Sequence, residues 1–469
     1  MGDNVQTDAN TVQQPEGFCA PGAPASATVS LKERLEKLIA SSQQLIKLMD
    51  EHGVPDPTFA PECQEDFSKL PPETITERFA LLDLLSDVTF LVHGASQSIT
   101  DVSQNAMADS ATLNILNYFN FWDAIPLDGD ASFAEIAKAV RLPQEAVEAI
   151  MPYAFCNRIF EPVTIGDPNS RIRHTSRSAA MIKDPTLRII VNLTVDGLAG
   201  PLSILNRALE KNFVGKDKLS NEISETPFGM LYNKGGPLGE FKDYYDWLDR
   251  DGEGERKGWR QRDMVESLRL AKEKMGAESA LLEALDWAAA GKATVVDLGG
   301  SGGHDDVPLA EKFPDLKIVV QDLPSCQPKF DDGYISDELK KRVSFLAHDF
   351  FTPQPIQADI YLFKWVFYDW SNKDIVKIIQ ALVPALRPGA RVLVLDLMVD
   401  VGPEAAAVMP RSLLKYSNVI SLKTLSLFGH TKQAAKRMTD LFKAADERFE
   451  IVRDEIAGTF MTFEAVWRG

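Results

Sequence analysis

A glycine-rich loop at the end of a predicted strand is the strongest chemical signal in this 469-residue sequence. Residues 294–297 form an apolar, β-rich run, and the chain continues as Leu298-Gly299-Gly300-Ser301-Gly302-Gly303. Glycines lack a Cβ atom, so a ligand can lie against the backbone at the carboxyl end of the strand. The loop therefore predicts a ligand site that includes Gly299, Gly300 and Gly302.

The spacing of this loop distinguishes two ligand classes. A dinucleotide-binding loop needs G-x-G-x-x-G, but counting from Gly300 the third position is Asp305, whose carboxylate would face a pyrophosphate. The acid before the loop, Asp297, instead suits a ligand with a cationic amino group and no phosphate. The loop therefore favours S-adenosylmethionine (SAM), with Asp297 among its contacts.

Acidic residues also end the next two predicted strands. Asp322 ends the run 319–322, where a carboxylate can accept both hydroxyls of a ribose. Asp349 follows the third run, where it could meet the amino group of adenine. Each acid alone is typical of a solvated strand end, but three acids at three successive strand tips favour a nucleoside site.

The pattern around these residues predicts how they are held. After Lys292, short β-rich runs alternate with helical stretches, which is typical of a parallel sheet covered by helices on both faces. Residues 449–454 and 459–467 predict an antiparallel hairpin at one edge. The fold class expected is therefore α/β, a doubly wound Rossmann-like sheet with a C-terminal hairpin.

The N-terminal half has a different pattern. Residues 1–29 predict a disordered tail, and helical periodicity follows at 31–52, 73–92 and 111–122. A capping box at Ser132 and Glu135 begins two short helices, which two short strands follow, as in a winged helix-turn-helix. The predicted domains are a dimerisation domain at 30–200, a helical pocket segment at 201–290 and the sheet at 291–469.

Charge and composition exclude several classes of function. The 50 Lys and Arg residues against 68 Asp and Glu residues leave a net charge of −18, which disfavours nucleic acid as the partner of the winged helix. No apolar run is expected to approach the roughly 20 residues that span a bilayer. Four scattered cysteines have neither disulfide nor metal-ligand spacing, so no metal is expected. The protein is expected to be cytoplasmic and to act on a small molecule.

Four segments together resemble the cation-independent, caffeate-type O-methyltransferases, and most closely the fungal members found in secondary-metabolite gene clusters. The segments are 297–303, 321–324, 348–351 and 364–371, and the likeness extends from about residue 31. It implies a SAM-binding domain preceded by a helical domain that forms a homodimer. It also implies cofactor contacts at Leu323, Phe350 and Lys364, although a lysine facing the sheet edge is an equal alternative for Lys364.

The sequence departs from this family where the family holds its catalytic base. The resemblance aligns the base, a histidine, with Tyr368, and the first of two orienting glutamates with Asp396. The second glutamate falls in residues 429–433, which contain no acid. A phenol with an ordinary pKa near 10 is about one part in a thousand phenolate at neutral pH. Tyr368 therefore suits hydrogen-bond donation better than proton abstraction.

Three functions are compatible with this departure. The function expected first is that of relatives that no longer methylate and instead catalyse pericyclic ring formation, in some cases with dehydration. There Tyr368, Asp369 and His174 would orient the substrate, and Asp396 completes the expected catalytic set. A single histidine after a wing strand is, however, more often a structural hydrogen-bond partner, which is the alternative for His174. A genuine O-methyltransferase acting on an already acidic hydroxyl is the alternative, and a non-catalytic SAM-binding regulator is the third. In either enzyme, a substrate pocket is expected at Phe228, Met230, Tyr232 and Trp365, although the first three suit a helix core equally.

Overall fold

The computed structural model describes residues 29–63, 67–71, 73–220, 222–275, 277–331, 335–397, 409–430, 436–457 and 460–469. The predicted disordered tail lies outside these residues except for its last position. The contacts divide the chain into two compact units: one takes in 1–54, 67–94 and 402–415, and the other takes in 55–66, 95–401 and 416–469. The predicted division near residue 200 stays a prediction.

The smaller unit contains the first predicted helix at the predicted place. Helix α1 (Leu31–His52) begins at a capping box between Ser30 and Glu33, and ends where Gly53 adopts φ +63°. A left-handed residue at that position is the usual glycine end of a helix. Within this unit Arg34 pairs with Asp87 at 3.2 Å.

Two helical segments follow, as predicted, and they are separated by a kink. The range α2 (Glu73–Tyr118) contains Gly94, whose φ of 73° and ψ of 164° are not helical, so the first segment ends close to the predicted residue 92. Among the described residues, one stretch, Glu77–Tyr118, is long and apolar enough to cross a membrane by length and composition, with mean hydropathy 1.3 and 6% of its most apolar window buried. The expectation of no such stretch is therefore wrong, although these two criteria alone are weak evidence of a span.

Two helices and a small sheet follow, as the capping-box pattern predicts. Helix α3 (Phe133–Val140) begins at the Ser132–Glu135 capping box, and α4 is Gln144–Cys156. Strands β1 (Asp130–Ala131), β2 (Phe160–Pro162) and β3 (Ile172–His174) pair antiparallel in the order β1-β3-β2. Their core contains Trp122 stacked on Phe160 at 5.7 Å.

Short helices account for most of the chain between this region and the large sheet. A π-helical turn, Asn192–Asp196, separates α6 from α7. The helices are α5 Ser176–Lys183, α6 Thr186–Val191, α7 Gly197–Ser203, α8 Leu205–Phe213, α9 Pro227–Tyr232, α10 Tyr244–Arg250, α11 Trp259–Met275, α12 Ala277–Glu283 and α13 Trp287–Ala290.

The C-terminal region is a seven-stranded sheet in the order β6-β5-β4-β7-β8-β10-β9. The first five strands in that order are parallel, and β10 is antiparallel to β8 and β9. This confirms the predicted α/β class and its edge hairpin. The strands are β4 Thr294–Leu298, β5 Lys317–Asp322, β6 Val343–Ala347, β7 Ile360–Lys364, β8 Arg391–Leu397, β9 Phe449–Ala457 and β10 Phe460–Trp467.

Helices cover both faces of the sheet because its central strands are apolar on both faces. Adjacent residues Tyr361 and Leu362 of β7 are fully buried in two separate hydrophobic clusters. Such burial makes the parallel strands nearly continuous apolar runs. The covering helices include α14 Asp306–Lys312, α15 Gln327–Asp331, α16 Asn372–Leu382 and, after α17 (Arg411–Phe428), α18 Lys436–Ala445. Helix α17 instead contributes Leu427 and Phe428 to a separate cluster that contains Phe228.

Candidate active site

A cavity of about 330 Å³ lies at the carboxyl ends of the central strands. Residues that follow four parallel strands line it, namely Gly299, Asp322, Asp349 and Trp365. Helix α10 forms another part of the wall through Tyr245. The position is where open α/β sheets bind their ligands.

The glycine loop leaves no room for side chains. Gly299 has φ +77°, and a Cβ there would lie 2.9 Å from Val366. A Cβ on Gly300 would lie 2.4 Å from the Oδ2 atom of Asp297 and 2.8 Å from Val320. The backbone therefore passes close to the cavity only because glycine occupies both positions.

Asp322 ties the loop to the second strand. Its Oδ2 accepts the N–H of Ser301 at 2.8 Å, and its Oδ1 accepts the N–H of Leu323 at 2.7 Å. Burial raises the pKa of Asp322, and the two backbone donors oppose that rise. The carboxylate is thus held in one orientation in the cavity wall.

The predicted cofactor residues divide into a lining group and a supporting group. Gly299, Asp322, Leu323, Asp349 and Phe350 line the cavity. The cavity wall does not include Lys364, whose Nζ pairs with Asp305 at 2.8 Å and is almost completely buried. The supporting group lies beside the glycine loop but outside the cavity wall, and it consists of Asp297, Gly300, Gly302 and Lys364.

At the end of the cavity away from the glycine loop, a strained turn at residues 365–369 carries the lining residues. Trp365 lines the cavity with φ +58°, an uncommon value for a bulky residue. The turn Phe367–Asp369 follows, and the Oδ2 atom of Asp396 accepts the N–H of Tyr368 at 2.9 Å. Asp396 therefore positions the backbone of Tyr368.

Tyr368 is a neutral phenol at this site. Burial, and then the charges of Asp369 and Asp396, raise the pKa of Tyr368 well above its ordinary value. Since both effects oppose ionisation, Tyr368 cannot serve as a base near neutral pH.

Three distant segments meet at Asp369. The hydroxyl of Tyr245 donates to its Oδ2 at 2.9 Å, and the Nε2 of His430 lies 3.1 Å from its carbonyl oxygen. In the described part of the chain, the buried Oδ1 of Asp369 has no hydrogen-bond partner. The Asp369 carboxylate thus accepts the Tyr245 hydroxyl on Oδ2 and also interacts with the Tyr368 hydroxyl, while its Oδ1 stays buried.

Sequence reasoning missed Tyr245 and His430 as site residues. Tyr245 lies in an aromatic-rich stretch, residues 241–247, whose pattern suits a helix core and a pocket wall equally, so the sequence did not single it out. His430 lies in the segment that was considered only for its lack of an acid, and residues 431–433 lie outside the described residues. A sequence signal for His430 was available, because it directly follows Gly429, a glycine at the end of a helical pattern.

The expectation that His174 orients the substrate is wrong. Its Nδ1 lies 2.8 Å from the Ser178 hydroxyl and its Nε2 lies 3.0 Å from the Ile125 carbonyl. The side chain is 1% exposed, and burial lowers the pKa of His174. Because both ring nitrogens are engaged inside the N-terminal core, His174 has a structural role.

Three of the four predicted pocket residues lie outside the cavity wall. Phe228 is fully buried in a hydrophobic cluster and stacks on the partly buried Tyr232 at 4.9 Å. Met230, whose sulfur is 3.9 Å from Asn212, is outside the lining as well. Trp365 does line it, together with Tyr245 and Trp370. The helix-core alternative is therefore correct for Phe228 and Tyr232.

The cavity suits SAM better than a metal centre. The close backbone of the glycine loop and the two strand-end carboxylates of Asp322 and Asp349 match a nucleoside with hydroxyl and amino donors. Within the ranges that the structure describes, no cluster of three or more His, Cys, Asp or Glu side chains could hold a metal ion.

Comparisons with known proteins agree with this geometry. The O-methyltransferase domain family matches residues 260–445. The chain is 92% identical over 470 residues to O-methyltransferase lcsG of Purpureocillium lilacinum, and the match covers 100% of both chains.

Two solved structures share the fold. OxaC in complex with SAH and oxaline has a TM-score of 0.70 at 17% identity, covering 93% of this chain and 99% of that chain. A structure described as a pericyclic reaction enzyme has a TM-score of 0.63 at 17% identity, covering 93% and 100%. With a full-length relative at 92% identity, the chain belongs to the SAM-dependent O-methyltransferase family.

Proposed function

We propose that the protein transfers the methyl group of SAM to an acidic hydroxyl of a small aromatic compound in fungal secondary metabolism. The observation that carries the proposal is the Oδ1 atom of Asp369, which is buried and lacks a partner among the described residues. A buried carboxylate oxygen without a hydrogen bond is costly and is rare in native proteins. A substrate hydroxyl that donates to this atom removes that cost.

The acidity of the substrate follows from proton energetics. Bound SAM supplies an electrophilic methyl group, which the hydroxyl oxygen takes as its proton leaves. Complete proton transfer from an ordinary phenol to an ordinary carboxylate costs about 8 kcal/mol. Asp369 therefore assists best when the hydroxyl is already acidic, as in an enol or a phenol conjugated to a carbonyl.

The ring-lined wall supports an aromatic substrate. Tyr245 stacks on Trp370 at 5.6 Å, and Phe350 and Phe351 pack edge-on against Trp370 at 5.7 and 4.8 Å. All four rings line the cavity. Flat ring surfaces favour a planar ligand through offset stacking.

The test incubates the purified full-length chain with methyl-labelled SAM and a panel of carbonyl-conjugated phenols and enols. We expect labelled methyl ether, and a fall in kcat of at least about 100-fold in Asp369→Asn with SAM affinity unchanged. Asp249→Asn removes an exposed carboxylate from the same cavity rim and should keep turnover. Full turnover in Asp369→Asn would overturn the proposal.

Pericyclic chemistry is the second candidate, and a separate observation favours it. Tyr368 lines the cavity, and burial raises its pKa well above its ordinary value. A phenol that stays protonated can polarise a substrate carbonyl. A product isomeric with the substrate, formed while SAM is not consumed, would establish this candidate over methyl transfer.

We also propose that the protein is a homodimer joined through its N-terminal helical region, with the winged-helix elements as part of the dimerisation module. Helix α2 exposes large apolar residues, among them Val92 at 64% and Ile99 at 72% of their surface. Apolar surface of this kind is typical of an interface. Light scattering should give about twice the chain mass, and Ile99→Asp should shift it toward the monomer, whereas a monomeric wild type would exclude the dimer.

A further inference from the structure

We infer that Tyr245 and His430 are positioning residues that hold Asp369 as the preformed hydrogen-bond acceptor for the substrate hydroxyl. This inference rests on the proposed methyl transfer. Tyr245 lies 124 residues from Asp369 in the sequence, and His430 lies 61 residues from it. Only the fold brings them to it.

Tyr245 fixes one oxygen of the carboxylate. Its ring lies nearly parallel to Trp370, with 18° between the planes, and to Phe428, with 24° between them at 6.0 Å. These stacked contacts restrict the ring, so the hydroxyl is held where it donates to the Oδ2 of Asp369. Because its pKa is raised well above 10, the hydroxyl keeps its proton and always acts as the donor.

His430 fixes the main chain of the same residue. Gly429, with φ +71°, ends helix α17 and turns the chain back toward Asp369. The imidazole is 3% exposed and lies on Phe428 at 5.9 Å with 21° between the planes. Since a carbonyl can only accept, Nε2 carries the hydrogen and donates to it.

Phe428 supports both positioning residues, since Tyr245 and His430 both stack on its ring. The result is a carboxylate anchored at its backbone and at one oxygen, with the second oxygen left for the substrate. Preorganisation of this kind lowers the reorganisation needed in the transition state. The titratable groups around Asp369 are Tyr244 and Tyr245 of α10, Tyr368 of the same turn, Asp396 of β8 and His430 after α17.

The first test compares adjacent tyrosines. Tyr245→Phe keeps the stacked ring and removes the hydroxyl, while Tyr244→Phe removes a hydroxyl from a buried neighbour that does not line the cavity. We expect Tyr245→Phe to lower kcat about tenfold and to change KM less than about threefold, because the substrate still binds but its acceptor is no longer held in place.

The second test uses two substitutions at His430. His430→Phe keeps an aromatic ring against Phe428 but cannot donate, and His430→Gln restores a donor. We expect kcat about five- to tenfold lower in His430→Phe, with recovery of most of that loss in His430→Gln. SAM affinity and thermal unfolding of each variant, measured in parallel, identify any variant that is simply misfolded.

The outcomes separate this inference from the proposed function. If Asp369→Asn abolishes methylation but Tyr245→Phe behaves like Tyr244→Phe in kcat and KM, the positioning role is wrong and the methyl transfer stands. If Asp369→Asn keeps full turnover, the proposed function fails first. Equal losses in His430→Phe and His430→Gln would overturn the role of His430 alone.

Discussion

The two ends of the cavity are built in different ways. At the cofactor end, Gly299, Asp322 and Asp349 each lie within a few residues of a parallel strand, and those strands pair side by side. At the reaction end, Tyr245, Asp369 and His430 come from three segments that share no strand. A ligand site can therefore be encoded locally at one end and assembled only by folding at the other.

The two ends also differ in how their carboxylates are satisfied. Both oxygens of Asp322 accept backbone N–H groups, so that side chain is completed by the loop itself. Asp369 accepts the Tyr245 hydroxyl on one oxygen, and its other oxygen has no partner within the described segments. A buried carboxylate oxygen without a hydrogen bond is rare in native proteins and needs an explanation; for Asp369 the explanation that we propose is the substrate hydroxyl.

The largest expected effect is at the cofactor end. Gly300→Val should weaken SAM binding more than about 100-fold, because its first side-chain carbon would overlap Asp297 and Val320. Calorimetric titration with SAM measures the loss. Gly200→Ala, where a Cβ meets Leu231 at an ordinary 3.5 Å, is the matched control. If Gly300→Val and Gly200→Ala bind SAM with equal affinity, the glycine loop does not form a cofactor end distinct from the reaction end.

A smaller effect is expected when the carboxylate beneath the loop is neutralised. Asp322→Asn should weaken SAM binding about 10- to 30-fold, because an amide has one acceptor oxygen for the two backbone donors that Asp322 now satisfies. The same titration measures it, with kcat at saturating SAM as the second readout. A fall in kcat without loss of affinity would instead move Asp322 to the reaction end.

A third prediction concerns His174, which we place outside both the cofactor end and the reaction end of the cavity. Its pKa is lowered in the folded state, so the unfolded chain binds more protons below the ordinary value near 6.5. The free energy of unfolding should therefore fall as the pH drops through 6.5, by at most about 1.4 kcal/mol per pH unit, and level off below the folded-state pKa. Urea unfolding between pH 7.5 and 5 measures this.

His174→Gln should reduce that slope, while exchange of an exposed histidine, His52→Gln, should not. SAM affinity should be the same in both variants. A selective loss of turnover in folded His174→Gln would return His174 to the reacting groups.

The smallest effect is expected at the position that aligns with the family's base. Tyr368→Phe should change the methylation rate less than about threefold, because a phenol with a raised pKa takes no proton. Product formation at saturating SAM, followed by chromatography, measures it. A loss of 100-fold or more, with a product that carries no methyl group, would favour the pericyclic candidate.

Much of the fold could be predicted because its signals are local. The capping boxes at Ser30 and Ser132, the glycine that ends α1, and the apolar runs of β4 and β5 depend on neighbours within a few residues. Gly94 likewise breaks the helical range close to the predicted end at residue 92. That helical structure resumes directly after it, well before residue 111, was not predictable from the local pattern.

The sequence by itself determined the cofactor end, because glycines and acids at successive strand tips converge whenever parallel strands pair. It also determined that Tyr368 is a poor base, since that follows from the chemistry of a phenol. Only the tertiary structure decided that Phe228 and His174 are core residues and that Tyr245 and His430 hold Asp369. The physical reason is that burial and hydrogen-bond partners across 61 or 124 residues depend on packing, which no local pattern encodes.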